Sequence, residues 1–313
     1  MKKQFKKFKF FKIKSLIIGF GKTGVSISKA LSKLECELSY WDDTRKKGKI
    51  NGIKRYDVCK ESLEKFNYIF VSPGVSKTHF IVAKAYKMKC KVVSDIELYF
   101  EFLKFMQLKY KFIAVTGTNG KSTVALMIAK ILNVKPLANY GNLVLENIPK
   151  DDDNIVLELS SFQLEYLREI KPDISIFTNL ESDHLTYHGT FNNYAKSKIK
   201  ITSNQTPKDF LILNYDCKNL RERFLKTKNS NAKIIWVSTK SILNRGISIL
   251  SDRIVDNYFE KKNIILKKNI FLALQHNRLN FVIAYAALQT LKTLNFKKII
   301  NGLFNFRGLP HRI

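Results

Sequence analysis

Short apolar runs alternate with amphipathic stretches along most of the chain. Ser15-Leu16-Ile17-Ile18 reads as a buried strand that runs into glycines, and a helical pattern follows through Leu34. Leu38-Ser39-Tyr40-Trp41, Tyr68-Ile69-Phe70-Val71 and Lys91-Val92-Val93-Ser94 read as further strands, with a helix over 79–90 and another opening at Asp95. Residues 101–111 are polar and basic and lead into a strand at Phe112-Ile113-Ala114-Val115. A glycine turn and the helix Val124–Leu132 come next. Ile155-Val156-Leu157, Ile174–Phe177, Phe210–Asn214 and Ile234–Val237 continue the strands, and an Ala-rich helix spans Asn280 to Leu291. Strands in regular alternation with helices predict an α/β protein with parallel sheets.

The glycines divide this pattern into two parts. Gly19-Phe20-Gly21-Lys22-Thr23-Gly24 is a complete G-x-G-x-x-G between strand and helix, so the first part is expected to be a Rossmann-like domain over 1–105. Asp42-Asp43-Thr44-Arg45 closes the second strand, where an acid suits a ribose hydroxyl; read alone, this says NAD, and read neutrally, a βαβ unit that can hold a phosphate. Ser72-Pro73-Gly74 ends the third strand on the ligand face. The second part, 106–303, opens on Thr116-Gly117-Thr118-Asn119-Gly120-Lys121-Ser122-Thr123, a phosphate-loop form with a shorter spacing than G-x-x-x-x-G-K-[ST]. It predicts a P-loop ATPase-type central domain with a mostly parallel sheet. Lys121 would reach the β/γ-phosphates and Ser122 would ligate Mg²⁺. Glu158 ends an apolar strand as a Walker B carboxylate does, and Ser160 is expected to cap the helix that follows. His184 and His188 stand four apart without a Glu or Cys set for zinc, and Gly189 points to a loop there.

Composition changes this picture little. The 313 residues are 45% hydrophobic, enough for two cored domains. The formal charge of +29 comes from lysines scattered along the whole chain, which favours solvated faces over a nucleic-acid footprint. Residues 1–14 hold seven lysines with interleaved Phe and are expected to be a solvated arm. No apolar run approaches the ~18 residues of a membrane span, so no stable membrane insertion is expected. The basic start mimics a signal peptide but runs into a glycine motif instead of a cleavage site. Cys36, Cys59, Cys90 and Cys217 lack C-x-x-C spacing and read as free thiols of a cytoplasmic protein.

Taken together, these motifs resemble the Mur ligases, and within them the D-glutamate-adding branch. The resemblance also rests on Asp95-Ile96-Glu97-Leu98, Gly141-Asn142, Glu158-Leu159-Ser160-Ser161-Phe162-Gln163-Leu164-Glu165, Asp183-His184-Leu185 with His188-Gly189, Tyr194 to Lys198, His276-Asn277 with Asn280, and Gly308-Leu309-Pro310-His311-Arg312. It implies ATP and Mg²⁺ as cofactors, and UDP-N-acetylmuramoyl-L-alanine and D-glutamate as substrates of a monomer. Gly21, Lys22, Thr23 and Gly24 would face the diphosphate, Asp43, Thr44 and Arg45 the uracil end, and Ser72, Pro73, Gly74, Asn142, Ser160 and Gln163 the rest of the UDP-sugar. Gly117 to Thr123, Asn277 and Arg307 would hold ATP, with Lys121 at the γ-phosphate. Ser122, Glu158, His184 and Lys198, the last as a carbamate, would ligate metal. The resemblance makes 304–313 the stub of a third, amino-acid-binding domain, so these residues alone are expected to bind both nucleotides but turn over little. Two positions depart from the family pattern: Val144 and Leu274 stand where glycines are usual.

Overall fold

The computed structural model describes residues 5–45, 49–50, 52–139, 141–226, 229–251, 253–260, 263–266 and 270–308. The chain forms two compact units. The first comprises residues 1–108 with 143–148 and 165–168, and the second 109–142, 149–164 and 169–313.

In the first unit β1 (Lys14–Ile18), β2 (Glu37–Trp41), β3 (Lys49–Ile50), β4 (Ile53–Arg55), β5 (Tyr68–Val71) and β6 (Val92–Val93) form one sheet in the order β3-β4-β2-β1-β5-β6. All pairs are parallel except β3–β4. Helices α1 (Lys22–Lys33), α2 (Phe80–Lys87) and α3 (Asp95–Phe105) accompany it. Leu16, Ile17 and Ile18 are all buried, as a central parallel strand covered on both faces requires. Ser94 caps α3 in a capping box with Glu97, and the helix extends five residues into the stretch read as a polar lead.

From residue 5 on, the stretch expected to be a solvated arm is packed; residues 1–4 lie outside the described residues. Phe8, Phe10 and Ile13 are buried. Phe5 stacks on Phe102 and Phe105 of α3, and Phe10 meets Tyr68 and Phe70 of β5. Each buried ring contributes about 1.5–3 kcal/mol, which outweighs the solvation preference of the intervening lysines because their heads stay in water. Lys9, Lys12 and Lys14 pair at the surface with Glu101, Glu35 and Glu37.

Among the described residues the second unit has nine strands: β7 (Tyr110–Thr116), β8 (Pro136–Ala138), β9 (Asp153–Glu158), β10 (Ile174–Phe177), β11 (Phe210–Asn214), β12 (Lys233–Ser238), β13 (Gly246–Leu250), β14 (Arg253–Asp256) and β15 (Ile264–Ile265). Their order is β15-β14-β13-β12-β11-β10-β7-β9-β8, parallel from β13 to β8 and antiparallel at the β13-β14-β15 edge. Helices α4 (Lys121–Leu132), α5 (Ser161–Tyr166), α6 (Leu185–His188), α7 (Phe191–Ile199), α8 (Lys218–Leu225), α9 (Gln275–Gln289) and α10 (Phe296–Phe304) complete the elements. The core gathers α4, α9 and α10 over the central strands, and Phe306 closes it.

Three local readings change. Helix α9 begins at Gln275, so Asn277 lies in its first turn instead of ahead of it. His184 to His188 make one helical turn, α6, ended by Gly189 at φ +74°. Val144 and Leu274 need no glycine: Val144 buries its side chain in a short 3₁₀ turn, and Leu274 is extended at φ −89°. Leu309 to Arg312 lie outside the described residues.

Candidate functional site

In the first unit three loops meet at the C-terminal ends of adjacent strands. Ser72 Oγ donates to Gly19 O at 2.7 Å, and Gly19 N donates to Trp41 O at 2.8 Å. A Cβ at Gly24 would collide with the Gly19 carbonyl, so the helix can pack this close only with glycine there. Helix α1 starts at Gly21 without a side-chain cap or an acid in its first turn, leaving Lys22, Thr23 and Gly24 at a positive helix end. Pro73 and Gly74 follow Ser72 on the same rim.

Asp42, which sequence reasoning passed over for its neighbour, ties these loops together. Its Oδ2 accepts from Phe20 N at 2.7 Å, and its Oδ1 accepts from Thr44 N at 3.0 Å and Thr44 Oγ1 at 2.6 Å. Burial opposes its charge, but the Thr44 hydroxyl, the Phe20 and Thr44 amides and the Arg45 charge outweigh it and hold the carboxyl below its usual range. Asp43 Oδ1 accepts from Trp41 Nε1 at 2.9 Å and lies 3.2 Å from His79 Nε2. The Trp41 bond is the main cause of the lowered Asp43 pKa. Both acids at the end of β2 are therefore engaged within the protein, which weakens the NAD reading of this motif. Arg55 covers the Trp41 ring at 3.8 Å and bonds the Arg45 carbonyl. The signal for Asp42 was its place as the first acid after the strand.

In the second unit the phosphate-type loop joins β7 to α4. Gly117 has φ +147°, and a side chain there would strike Thr178 Oγ1. Gly120 caps α4 at φ +81°, close against Asn280. Lys121 Nζ donates to Thr118 O at 2.8 Å, and Ser122 and Thr123 continue the first helical turn. Asn277 is half-buried at the start of α9, which packs along α4; Arg307 is exposed beyond α10.

Glu158 ends β9 in register with Val115 of β7, beside the loop. It is buried; Oε1 accepts from Asn139 Nδ2 at 2.8 Å, and Oε2 has no hydrogen-bond partner among the described residues. Lys198 on α7 is 2% exposed. Its Nζ donates to Gly117 O at 2.7 Å. Burial first, and then the Lys121 charge, lower its pKa to about 7 against the opposing pull of Asp183 and Glu158. Lys121, Glu158 and Asp183 thus all lie within electrostatic reach of Lys198.

His184 sits on the exposed turn before α6, packed against Phe162, with Nε2 3.4 Å from Asp183 Oδ2. His188 is buried, 3.0 Å from Ser161 Oγ. Ser160 and Gln163 cap α5 reciprocally, Ser160 N donating to Gln163 Oε1 at 2.9 Å and Gln163 N to Ser160 Oγ at 3.3 Å. Asn142 donates through Nδ2 to Pro136 O at 2.8 Å. Among the described residues no three His, Cys, Asp or Glu side chains form a ready metal cluster. No helix among them is long and apolar enough to cross a membrane.

Comparison with known proteins fits this geometry. The family model for the Mur ligase middle domain matches residues 115–288. The UDP-N-acetylmuramoylalanine–D-glutamate ligase of Rickettsia bellii is 35% identical over 311 residues, covering 95% of this chain and 67% of its own length. That of Natranaerobius thermophilus is 33% identical, covering 96% and 69%. The chain thus spans about two thirds of the length of these curated relatives. Among solved structures, the UDP-N-acetylmuramate:L-alanyl-gamma-D-glutamyl-meso-diaminopimelate ligase from Neisseria meningitides shares the fold at TM-score 0.60 and 15% identity, over 95% of this chain and 99% of that one. UDP-N-acetylmuramate-alanine ligase from Thermotoga maritima does so at 0.52 and 17%, over 95% and 69%. On the matched phosphate-loop unit and the identity that runs the length of both units, the chain belongs to the Mur ligase family.

Proposed function

We propose that this chain carries the UDP-sugar and ATP sites of a cytoplasmic, monomeric ligase that adds D-glutamate to UDP-N-acetylmuramoyl-L-alanine in peptidoglycan precursor synthesis. The observation that carries this reading is the buried group of Lys198 and Glu158 beside the Lys121 loop. In the first unit, Gly21 to Gly24 would take the diphosphate, Asp43 to Arg45 the uracil end, and Ser72 to Gly74 the rim. In the second, Asn142, Ser160 and Gln163 would face the muramoyl end, and Asn277 and Arg307 the nucleotide.

A buried carboxylate oxygen without a partner is costly unless a cation or donor meets it, so Glu158 Oε2 fits Mg²⁺. Ser122, His184 and Lys198 as a carbamate would complete the ligands. Mg²⁺, when bound, would draw charge from the phosphate oxygens. Lys121 neutralises the γ-phosphate from the loop, and the α4 N-terminus adds its dipole. The carboxylate oxygen of the L-alanyl group attacks the γ-phosphorus; the bond to ADP breaks and an acyl phosphate forms. The amine nitrogen of D-glutamate then attacks the acyl carbon, inorganic phosphate leaves, and the nitrogen loses a proton as the amide forms. The protein's part is positioning and charge stabilisation.

The test is calorimetry with UDP and ADP, followed by an assay for ATP-dependent incorporation of labelled D-glutamate. Independent binding of both nucleotides, with ADP binding lost in Lys121→Ala, supports the two sites, and incorporation supports the reaction. Absence of affinity for either nucleotide would sink the proposal.

A further inference from the structure

The phosphate loop is two residues shorter than the general spacing, and the chain after β10 makes up for it. Asn119 N donates to Asn179 Oδ1 at 2.8 Å, and Thr118 N donates to the same oxygen at 3.0 Å and to Asn179 O at 3.1 Å. In return Asn179 Nδ2 donates to Asn119 O at 3.1 Å, and Thr178 Oγ1 reaches that carbonyl at 2.6 Å. Thr118 Oγ1 donates to Glu181 O at 3.1 Å and accepts from Glu181 N at 3.0 Å. In many phosphate loops the amides between the glycines face the anion. Here those of Thr118 and Asn119 are spent on one side-chain oxygen.

The first turn of a helix leaves its amides without intrahelical acceptors. In this loop the turn of α4 carrying Ser122 and Thr123 supplies such donors, next to Lys121. We propose that Asn179 is a positioning residue of the phosphate site: by holding the Thr118 and Asn119 amides it presets the short loop, so that the anion is taken by the α4 first turn and Lys121. The inference rests on the phosphate-site reading above.

The experiment is amide exchange by NMR on the full ¹⁵N-labelled chain, without ligand and with ADP, alongside ADP and adenosine affinities. In the wild type, Thr118 and Asn119 should exchange slowly before ADP is added and change little with it, while Ser122 and Thr123 gain protection. Asn179→Ala should expose both loop amides and weaken ADP about tenfold, leaving adenosine and UDP affinities unchanged. Asn179→Asp keeps the accepting oxygen and should restore protection of both amides. If the wild type binds ADP no better than adenosine, the phosphate-site reading itself fails. If it prefers ADP but Asn179→Ala keeps that preference, the site stands and the role of Asn179 is overturned. ADP-induced protection of Thr118 or Asn119 in the wild type would overturn it too, and needs no variant to fold.

Discussion

The side-chain nitrogen of Lys198 lies 2.7 Å from the carbonyl oxygen of Gly117, placing a buried amine against the loop that carries Lys121. With its pKa lowered to about 7 by burial and by Lys121, a large fraction of this amine is neutral near pH 7 and able to add CO₂. Incubation with ¹³C-bicarbonate at pH 8 should give a carbamate signal that is absent in Lys198→Ala. A wild-type spectrum without that signal would remove Lys198 from the proposed metal ligands.

Gly117 and Thr178 are a steric pair. Gly117→Ala places a methyl group against Thr178 Oγ1 at a backbone angle of φ +147° that side chains rarely adopt. The substitution should cost about 2 kcal/mol or more and abolish ADP binding. Thr178→Ala in the same chain should recover part of the stability but not all, because the backbone strain stays. Equal melting temperatures for wild type and Gly117→Ala would refute the assignment.

Asp95 heads α3 almost fully buried, and its Oδ1 has no hydrogen-bond partner among the described residues. Burial raises its pKa from 3.8 to about 6 against the pull of the Ile96 and Asp95 amides. The fold therefore favours the protonated form. The charged form's penalty is absent below the unfolded value and complete above the folded one. Asp95→Asn should stabilise the protein by at most ~3 kcal/mol above pH 6, with the gain vanishing near pH 4. Thermal melts at pH 4.5 and 7.5 measure this, and a gain independent of pH would contradict it.

Asp42 links Phe20 to Thr44, so its loss should loosen two loops of the proposed UDP site together. Asp42→Ala should weaken UDP about tenfold and leave ADP affinity unchanged. Asp42→Asn, which keeps one accepting oxygen, should lose less. An unchanged UDP affinity in Asp42→Ala would restrict the residue to a role in folding.

Phe10 meets Tyr68 and Phe70 beneath the first sheet. Phe10→Ala should destabilise the first unit by about 3–5 kcal/mol. A solvated segment would show no change in urea denaturation.

Periodicity and turn chemistry were enough to recover the central parallel strands and the glycine turns, because these depend on neighbours a few residues apart, but not the short or edge strands β3, β4, β8 and β13 to β15 or the helices α8 and α10. The Gly21–Gly24 turn, the loop from Gly117 to Thr123, the serine cap at Ser160 and the strand-end placement of Glu158 were all legible for that reason. The local pattern misled where burial was set by distant partners. The lysine-rich start read as solvated, although from residue 5 on its phenylalanines find α3 and β5, and no spacing announced that the Lys198 amine would be buried against the end of β7 and the Gly117 turn. The bonds of Asp42 to Phe20 and of Asn179 to Thr118 and Asn119 could not be read from spacing for the same reason, since their partners lie 22, 61 and 60 residues away. The sequence by itself determined where the glycine turns, the central strands and the candidate site residues fall along the chain. Only the tertiary structure decided which of them are buried and which amides remain for an anion, because desolvation and hydrogen-bond exchange depend on what packs against a group, not on what precedes it in the chain.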